Sequence, residues 1–307
     1  MLNGVLNIYK ERGYTSHDVV AKLRGITRQK KIGHTGTLDP DAEGVLPVCL
    51  GKATRLCDML TDKDKTYEAV LLLGKETDTQ DITGKVLSEK DTAGISEEEV
   101  REIIRSFEGG YDQIPPMYSA LKVNGKKLYE LARDGKEVER KPRRVTIYQI
   151  AVLEMSLPRV RMEVRCSKGT YIRTLCHDIG LKLGCGGCME KLLRTQVERF
   201  HLSESICLEE ARKYYQEGVL EKHMTAIDEM FSDYEQVYLK PGADAAVRNG
   251  NLFRADAILW TGSFKELRDG DKVRVYDENR NFIAVYVYRG KERDFKIVRM
   301  FFDRIEL

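Results

Sequence analysis

The chain has 307 residues, with 51 Lys+Arg against 49 Asp+Glu for a formal net charge of +2. At roughly 100–200 residues per domain this length predicts two domains, each able to bury a core. A hydrophobic share of 42% beside 33% charged residues excludes long disorder, and the near-neutral balance excludes a polycation that coats nucleic acid over its whole surface.

Met1-Leu2-Asn3-Gly4-Val5 lacks the basic start and apolar stretch of a secretory signal. The longest apolar runs, such as Val70-Leu71-Leu72-Leu73, are strand-sized and far below the roughly 18 residues of a membrane span. Seven cysteines and the lack of any Asn-x-Ser/Thr sequon make a reducing cytoplasm the expected compartment. Val5-Leu6-Asn7-Ile8 reads as a short strand, and Thr15 or Ser16 caps a helix with Val19, Val20 and Leu23 on one face. Gly33-His34-Thr35-Gly36-Thr37-Leu38-Asp39-Pro40 is a polar loop without helical or strand period. Val45–Leu50 and Lys65–Leu73 read as buried strands. Between Gly44 and Ala53 the chain imitates a phosphate-binding loop, but six residues separate Gly44 from Gly51 and Ala53 replaces the metal-binding hydroxyl. No nucleotide site is expected there.

Ser96 opens a helix, with Glu99 completing a capping box and Val100, Ile103, Ile104 and Phe107 forming the apolar stripe. Gln113 to Lys141 reads as an excursion from the sheet. Ile114-Pro115-Pro116 cannot lie in a central strand, and a basic amphipathic helix follows around Leu128-Tyr129-Glu130-Leu131. Residues 115–145 hold nine Lys/Arg against four acids, whereas 88–108 hold seven acids against three bases. Such segregation gives either a basic binding face or a plain solvated helix. Strands resume at Val145–Met155 and Val160–Cys166, followed by a helix from Thr170, its cap, to Leu183. Cys185-Gly186-Gly187-Cys188 has knuckle spacing, but its only companions, Cys176 and His177, adjoin each other, so thiols without metal are expected. Beyond a boundary at 230–240, Gly/Asp turns punctuate short strands at Lys272–Tyr276, Phe282–Tyr288 and Phe295–Met300, the pattern of a small β-barrel.

Two stretches carry reactive potential. Pro40 pushes Asp39 toward an extended conformation, so a fixed backbone presents the carboxylate; an ordinary Asp-Pro turn is the plain alternative. In Cys166-Ser167-Lys168-Gly169-Thr170-Tyr171-Ile172-Arg173, Gly169 ends an alternating strand and Arg173 falls in the first turn of the helix. Helix N-termini disfavour cations, so a nearby carboxylate or phosphate accounts for Arg173; a surface Arg–Glu pair is the alternative.

These segments recur in order with Lys65-Thr66-Tyr67, Gly74-Lys75-Glu76-Thr77-Asp78-Thr79-Gln80-Asp81, Pro115-Pro116-Met117-Tyr118-Ser119-Ala120-Leu121-Lys122 and Leu192-Leu193-Arg194-Thr195. Together, over residues 1–200, they resemble the TruB family of tRNA pseudouridine synthases, and the C-terminal segment resembles a PUA domain, an RNA-binding barrel. The resemblance implies an α+β fold. A catalytic domain at 1–234, built on a mixed, mainly antiparallel sheet with flanking helices, carries an RNA-gripping insertion at 113–145. The PUA-type β-barrel occupies 235–307. Two departures stand out: Lys10-Glu11-Arg12-Gly13 where the family commonly has Lys-Pro-x-Gly, and Glu198 where it often has Gly.

The resemblance also implies the reaction, isomerisation of the T-loop uridine of tRNA (position 55) to pseudouridine. It implies no cofactor, no metal, no nucleotide and no membrane, only the tRNA T-arm as partner of a cytoplasmic monomer. Asp39 is then the catalytic carboxylate, Arg173 the arginine paired with it, and Tyr67 the active-site tyrosine. Ile172 and Leu192 wall the base, and His34 fills the space left by the everted nucleotide. Lys10, Tyr171, Lys126 and Arg143 are expected to contact the RNA. A non-catalytic tRNA-binding or tRNA-folding factor would share the grip without needing Asp39, Tyr67 and Arg173 together. A guide-RNA-dependent relative inside a larger particle is disfavoured, since residues 1–240 show no long lysine-rich tails.

Overall fold

The computed structural model describes residues 1–123, 125–243, 247–259 and 267–302. In chain order they form β1 (Gly4–Lys10), α1 (Ser16–Thr27), β2 (Ile32–His34), β3 (Glu43–Leu50), α2 (Cys57–Thr61) and β4 (Lys65–Leu73). A hairpin of β5 (Lys75–Thr77) and β6 (Val86–Glu89) leads to α3 (Glu97–Arg105) and β7 (Gly109–Gln113). A second hairpin, β8 (Lys122–Val123) and β9 (Lys126–Lys127), precedes α4 (Leu128–Arg133), β10 (Arg143–Ser156) and β11 (Arg159–Cys166). Then come α5 (Ile172–Lys182), β12 (Gly187–Val197), β13 (Phe200–His201), α6 (Leu208–Gln216) and β14 (Met224–Thr225).

Ten of these strands share one sheet, ordered β14-β1-β3-β12-β4-β11-β10-β7, with β2 on β3 and β13 on β12. Its pairings are antiparallel except β3 with β12. Strand period explains β4, where Lys65, Tyr67, Ala69, Leu71 and Leu73 are buried and the residues between them half-exposed. By contrast, β3 is buried on both faces. Leu46, Val48 and Leu50 pack with residues of α1 and α6, while Val45 and Cys49 join a core shared with the C-terminal barrel. Pro47 is tolerated in this central strand because it falls where β3 changes neighbour, after β12 at Gly44 and before β2 at Val48.

Helix starts follow capping chemistry. Thr15 caps α1, accepting the Asp18 N–H while the Asp18 carboxylate accepts that of Thr15. Ser96 accepts the Glu99 N–H at 3.2 Å, which is half of the expected box. The α5 start differs from the sequence expectation: the Thr170 hydroxyl donates to the Ser167 carbonyl at 2.9 Å and closes a turn, so Tyr171 is the N-cap, without a side-chain cap bond, and the helix begins at Ile172. Residues 114–142 leave the sheet at Gln113 and return at Arg143, its cross-strand neighbour. Arg143, expected within the excursion, therefore sits in β10. Glu198 turns the chain between β12 and β13 with φ +51°, the left-handed region where glycine carries no steric cost. This accounts for the glycine that the family pattern favours there.

The remaining strands are β15 (Glu235–Leu239), β16 (Phe253–Arg254), β17 (Ile258–Leu259), β18 (Lys272–Tyr276), β19 (Phe282–Arg289) and β20 (Asp294–Met300). Their order, β16-β20-β19-β18-β15-β17, wraps a core containing Val237, Val273, Tyr286 and Phe295. Val285 and Phe301 dock this barrel onto Val5, Val45, Leu56 and Phe231. The mixed α+β architecture with a terminal β-barrel agrees with the sequence reading.

Candidate active site

Asp39 lies in the loop between β2 and β3, and the backbone on both sides of it is fastened. Ser16, at the start of α1, accepts the Leu38 N–H at 2.9 Å. On the other side the Pro40 carbonyl accepts both the Gly13 N–H at 2.9 Å and the Lys10 ammonium at 3.2 Å. The Ala42 N–H closes a turn onto the Asp39 carbonyl at 3.1 Å. A carboxylate held this way has little freedom to lose when it acts.

Arg173, in the first turn of α5, meets that carboxylate with two bonds: Nε to Oδ2 at 3.0 Å and Nη2 to Oδ1 at 3.2 Å. The same guanidinium donates to the Thr79 carbonyl at 3.2 Å and the Tyr118 carbonyl at 2.9 Å, and Asp81 stands 3.7 Å away. A side chain only 5% exposed is thus satisfied from three separate chain segments. The carboxylate and carbonyls also resolve the clash of a cation with a helix N-terminus. Although 39% of the Asp39 side chain stays open, surrounding protein strips much of its hydration and raises its pKa. Arg173 is the largest opposing influence; the charge of Asp81 adds to the rise and that of Lys10 subtracts.

Tyr67, Ile172 and Leu192 are buried and share one core cluster with Leu38, beside the reactive loop. Burial raises the Tyr67 phenol, against which Arg194 acts through a hydrogen bond and its charge. Arg194 is itself fully buried, donating Nε to the Val45 carbonyl at 2.7 Å and Nη2 to the Gly36 carbonyl at 3.2 Å. His34 accepts the Gly36 N–H at Nδ1, 3.3 Å away, which leaves the ring proton on Nε2. Burial first, then His17 and Arg194, pull its pKa down to about 4, so the imidazole is neutral at pH 7. The His17 ring meets it edge-on at 5.2 Å between centroids.

The structure brings together Asp39, Arg173, Tyr67, Ile172 and Leu192, with Tyr171 two residues before Arg173 in the chain. Lys10 departs from its expected role. It is fully buried, and its ammonium donates to the carbonyls of Glu11, Tyr14 and Pro40, so it braces the Asp39 loop rather than meeting RNA. Burial lowers it to about 8. Lys126 and Arg143 are exposed on β9 and β10. Asp81 and Arg194 escaped the residue-level reading. The one sign of Arg194 was a cation following Leu192-Leu193 in an apolar strand; Asp81 had no local sign beyond its quoted motif.

Residues 24–172 match the family described as TruB family pseudouridylate synthase (N terminal domain), and residues 173–237 match the tRNA pseudouridylate synthase B C-terminal domain. A curated protein named tRNA pseudouridine synthase B from Lachnoclostridium phytofermentans is 51% identical, with 98% of this chain and 100% of that one aligned. Proteins of the same name from Clostridium perfringens and Bacillus pumilus are 44% and 43% identical, covering 98% and 94% of this chain and 100% and 93% of theirs. Among solved structures, a Cbf5-Nop10-Gar1 complex aligns with TM-score 0.72 and 29% identity over 99% of this chain and 86% of that one. An H/ACA RNP bound to a substrate RNA containing 2′-deoxyuridine aligns with TM-score 0.70 and 28% identity, over 98% and 86%.

Proposed function

The chain belongs to the TruB family of pseudouridylate synthases, and on that premise we propose that it converts a uridine in the T-loop of tRNA, position 55, to pseudouridine. The observation that carries this reading is the two-bonded Asp39–Arg173 pair, set beside a buried phenol and apolar side chains. In the reaction the C1′–N1 bond breaks, uracil turns, C5 bonds to C1′, and C5 gives up a proton as N1 gains one. No electrons are exchanged with a second molecule.

Asp39 engages the nucleotide by attacking C1′, adding to C6 or taking the C2′ proton. Each route uses the ionised carboxylate, and Arg173 opposes the burial that would protonate it. Tyr67 stacks on the uracil, and its phenol assists the departure of the C5 proton. Ile172 and Leu192 keep water from the detached base. Everting a base costs a few kcal/mol, and the neutral imidazole of His34 fills the gap without introducing a charge.

The excursion, with Lys126 and with Arg143 at its base, grips the T-arm phosphates, and a PUA-like domain at 235–307 adds RNA contacts beside the catalytic domain at 1–234. In this reading the chain works as a monomer in the cytoplasm; among the described residues no helix is long and apolar enough to cross a membrane. Whole-length identities of 43–51% to proteins named for tRNA favour a tRNA substrate over a guide-RNA particle. A pure binding factor has no use for a carboxylate clamped in this way. The deciding experiment is tritium release from C5-labelled uridine in a T-arm transcript. Wild type releases tritium, while Asp39→Asn binds the RNA and releases none; equal release from both overturns the assignment.

A further inference from the structure

Gln113 is the last residue of β7, immediately before the excursion begins, and it is only 1% exposed. Its side-chain amide grips the backbone of a residue 58 positions away. Oε1 accepts the Tyr171 N–H at 2.7 Å, and Nε2 donates to the Tyr171 carbonyl at 2.9 Å. The amide behaves as a strand neighbour would, matching one donor and one acceptor of a single residue. Tyr171 is the N-cap of α5 and has no side-chain cap of its own; Ile172 and Arg173 follow directly. Nε2 also donates to the Tyr111 hydroxyl, which in turn reaches Asp178 of α5 at 3.5 Å. From the far side of the same junction the Tyr118 carbonyl, inside the excursion, accepts from Arg173.

We infer that Gln113 is a positioning residue for the reaction: by holding the backbone of Tyr171 it sets where Arg173 delivers its guanidinium to Asp39, and it ties the root of the RNA-gripping excursion to the reactive pair. The inference rests on the reading of Asp39 and Arg173 as that pair. Physical necessity points the same way. Tyr171 N–H precedes the helix and has no helical partner, and a buried amide left without one is costly. No residue of α5 supplies it. Reacting groups displaced by about 1 Å lose about a hundredfold in rate, so the anchor of the residue preceding Ile172 and Arg173 has kinetic weight although it touches no substrate.

The test uses the full chain and a T-arm transcript with C5-tritiated uridine, at enzyme excess so that the chemical step is read. Gln113→Met keeps the size of the side chain and removes both bonds to Tyr171 together with the one to Tyr111. The single-turnover rate is expected to fall about tenfold to a hundredfold, with RNA binding within twofold of wild type. Asp39 faces Arg173, Asp81 and Lys10, with the phenols of Tyr67 and Tyr171 nearby. Of these, Arg173 is the largest influence holding the Asp39 pKa down, and its contact loosens in the variant along with the placement of the Tyr171 phenol, so the acid limb of the rate profile moves to higher pH. Tyr111→Phe frees one constraint on the Gln113 amide and is expected to shift rate and profile in the same direction by about twofold. An unchanged rate and profile in Gln113→Met overturns the inference, as does a loss confined to RNA binding. If Gln113→Met does not fold, the same two outcomes in Tyr111→Phe decide. Wild type releasing no tritium would instead sink the reading on which the inference depends.

Discussion

Arg173→Lys keeps the charge and removes the geometry. The guanidinium spans both Asp39 oxygens at 3.0 and 3.2 Å while donating to the Thr79 carbonyl at 3.2 Å and the Tyr118 carbonyl at 2.9 Å. An ammonium presents three donors from a single point and cannot serve acceptors on opposite sides of a planar fork. At least two charge-assisted bonds are lost, each worth about 1.5–3 kcal/mol. Part of that loss falls equally on the free enzyme, so the chemical step is expected to slow by about 10²–10³, or about 3–4 kcal/mol. With the ion pair weakened, the burial that already raises Asp39 acts with less opposition, and a larger fraction of the acid is protonated at low pH. The deficit is therefore larger at pH 6 than at pH 8. Tritium release under single-turnover conditions between these values measures both effects. A rate within threefold of wild type, or a deficit independent of pH, refutes the reasoning.

Other consequences follow from single sites. Glu198 sits at φ +51° while its carboxylate accepts from Arg199 N at 2.7 Å and Nε at 3.1 Å. Relief of strain and loss of these bonds nearly cancel, so Glu198→Gly changes unfolding free energy by less than about 1 kcal/mol, whereas Glu198→Val, β-branched in that conformation, costs about 2 kcal/mol or more; urea titration separates them, and equal midpoints count against the strain. Lys126→Ala with Arg143→Ala is expected to lower the salt slope of RNA binding by about 1–2 and leave the saturated rate unchanged; an unaltered slope removes both residues from the phosphate grip. Lys65, buried with its ammonium on the Thr61 and Lys63 carbonyls, is lowered to about 8. Between about 8 and the ordinary lysine value of 10.5 the unfolded chain binds this proton and the folded one does not, so unfolding becomes harder as pH rises. Relative to Lys65→Met, wild type should gain stability from pH 8 to 9.5, and a constant difference would contradict the shift.

What was legible in the sequence is what short-range chemistry writes. The alternation of β4, the Thr15 cap of α1 and the Asp39-Pro40 loop all depend on neighbours within a few residues. The α5 cap slipped by one position, from Thr170 to Tyr171, because Thr170 had two uses, cap or turn, and its hydroxyl took the turn. Lys10 differs for another reason: the resemblance gave it as an RNA contact, and only its three converging carbonyls make it an internal brace. Residues that act across the fold left little trace. Asp39 and Arg173 are 134 positions apart, Gln113 and Tyr171 58, and Arg194 and Val45 149. Family resemblance recovered the first pair. No periodicity could have found the other two, because a buried amide or guanidinium is recognisable only by what surrounds it.

Arg194 shows how such a residue divides stability from function. Its side chain is 1% exposed, and among the described residues it has no carboxylate within ion-pair distance; its partners are two carbonyls and the Tyr67 phenol. Burying an uncompensated cation is unfavourable, and burial lowers its pKa. Gly44 lets the backbones of β3 and β12 approach this closely at Arg194, since at φ +107° a Cβ there would lie 2.2 Å from the Arg194 carbonyl oxygen. In Arg194→Met the charge penalty disappears while the Gly36 and Val45 carbonyls lose their donor, at about 1–3 kcal/mol each, so the two changes partly offset and the unfolding free energy moves by no more than about 3 kcal/mol. Activity has no such compensation: Gly36 lies in the loop that carries His34 and Asp39, and the Tyr67 phenol loses the donor that opposes its burial. The expected signature is a tritium-release rate down about a hundredfold in a protein that still unfolds cooperatively within several degrees of wild type. If the rate instead survives while the melting temperature collapses, Arg194 serves the core alone and the cation is structural.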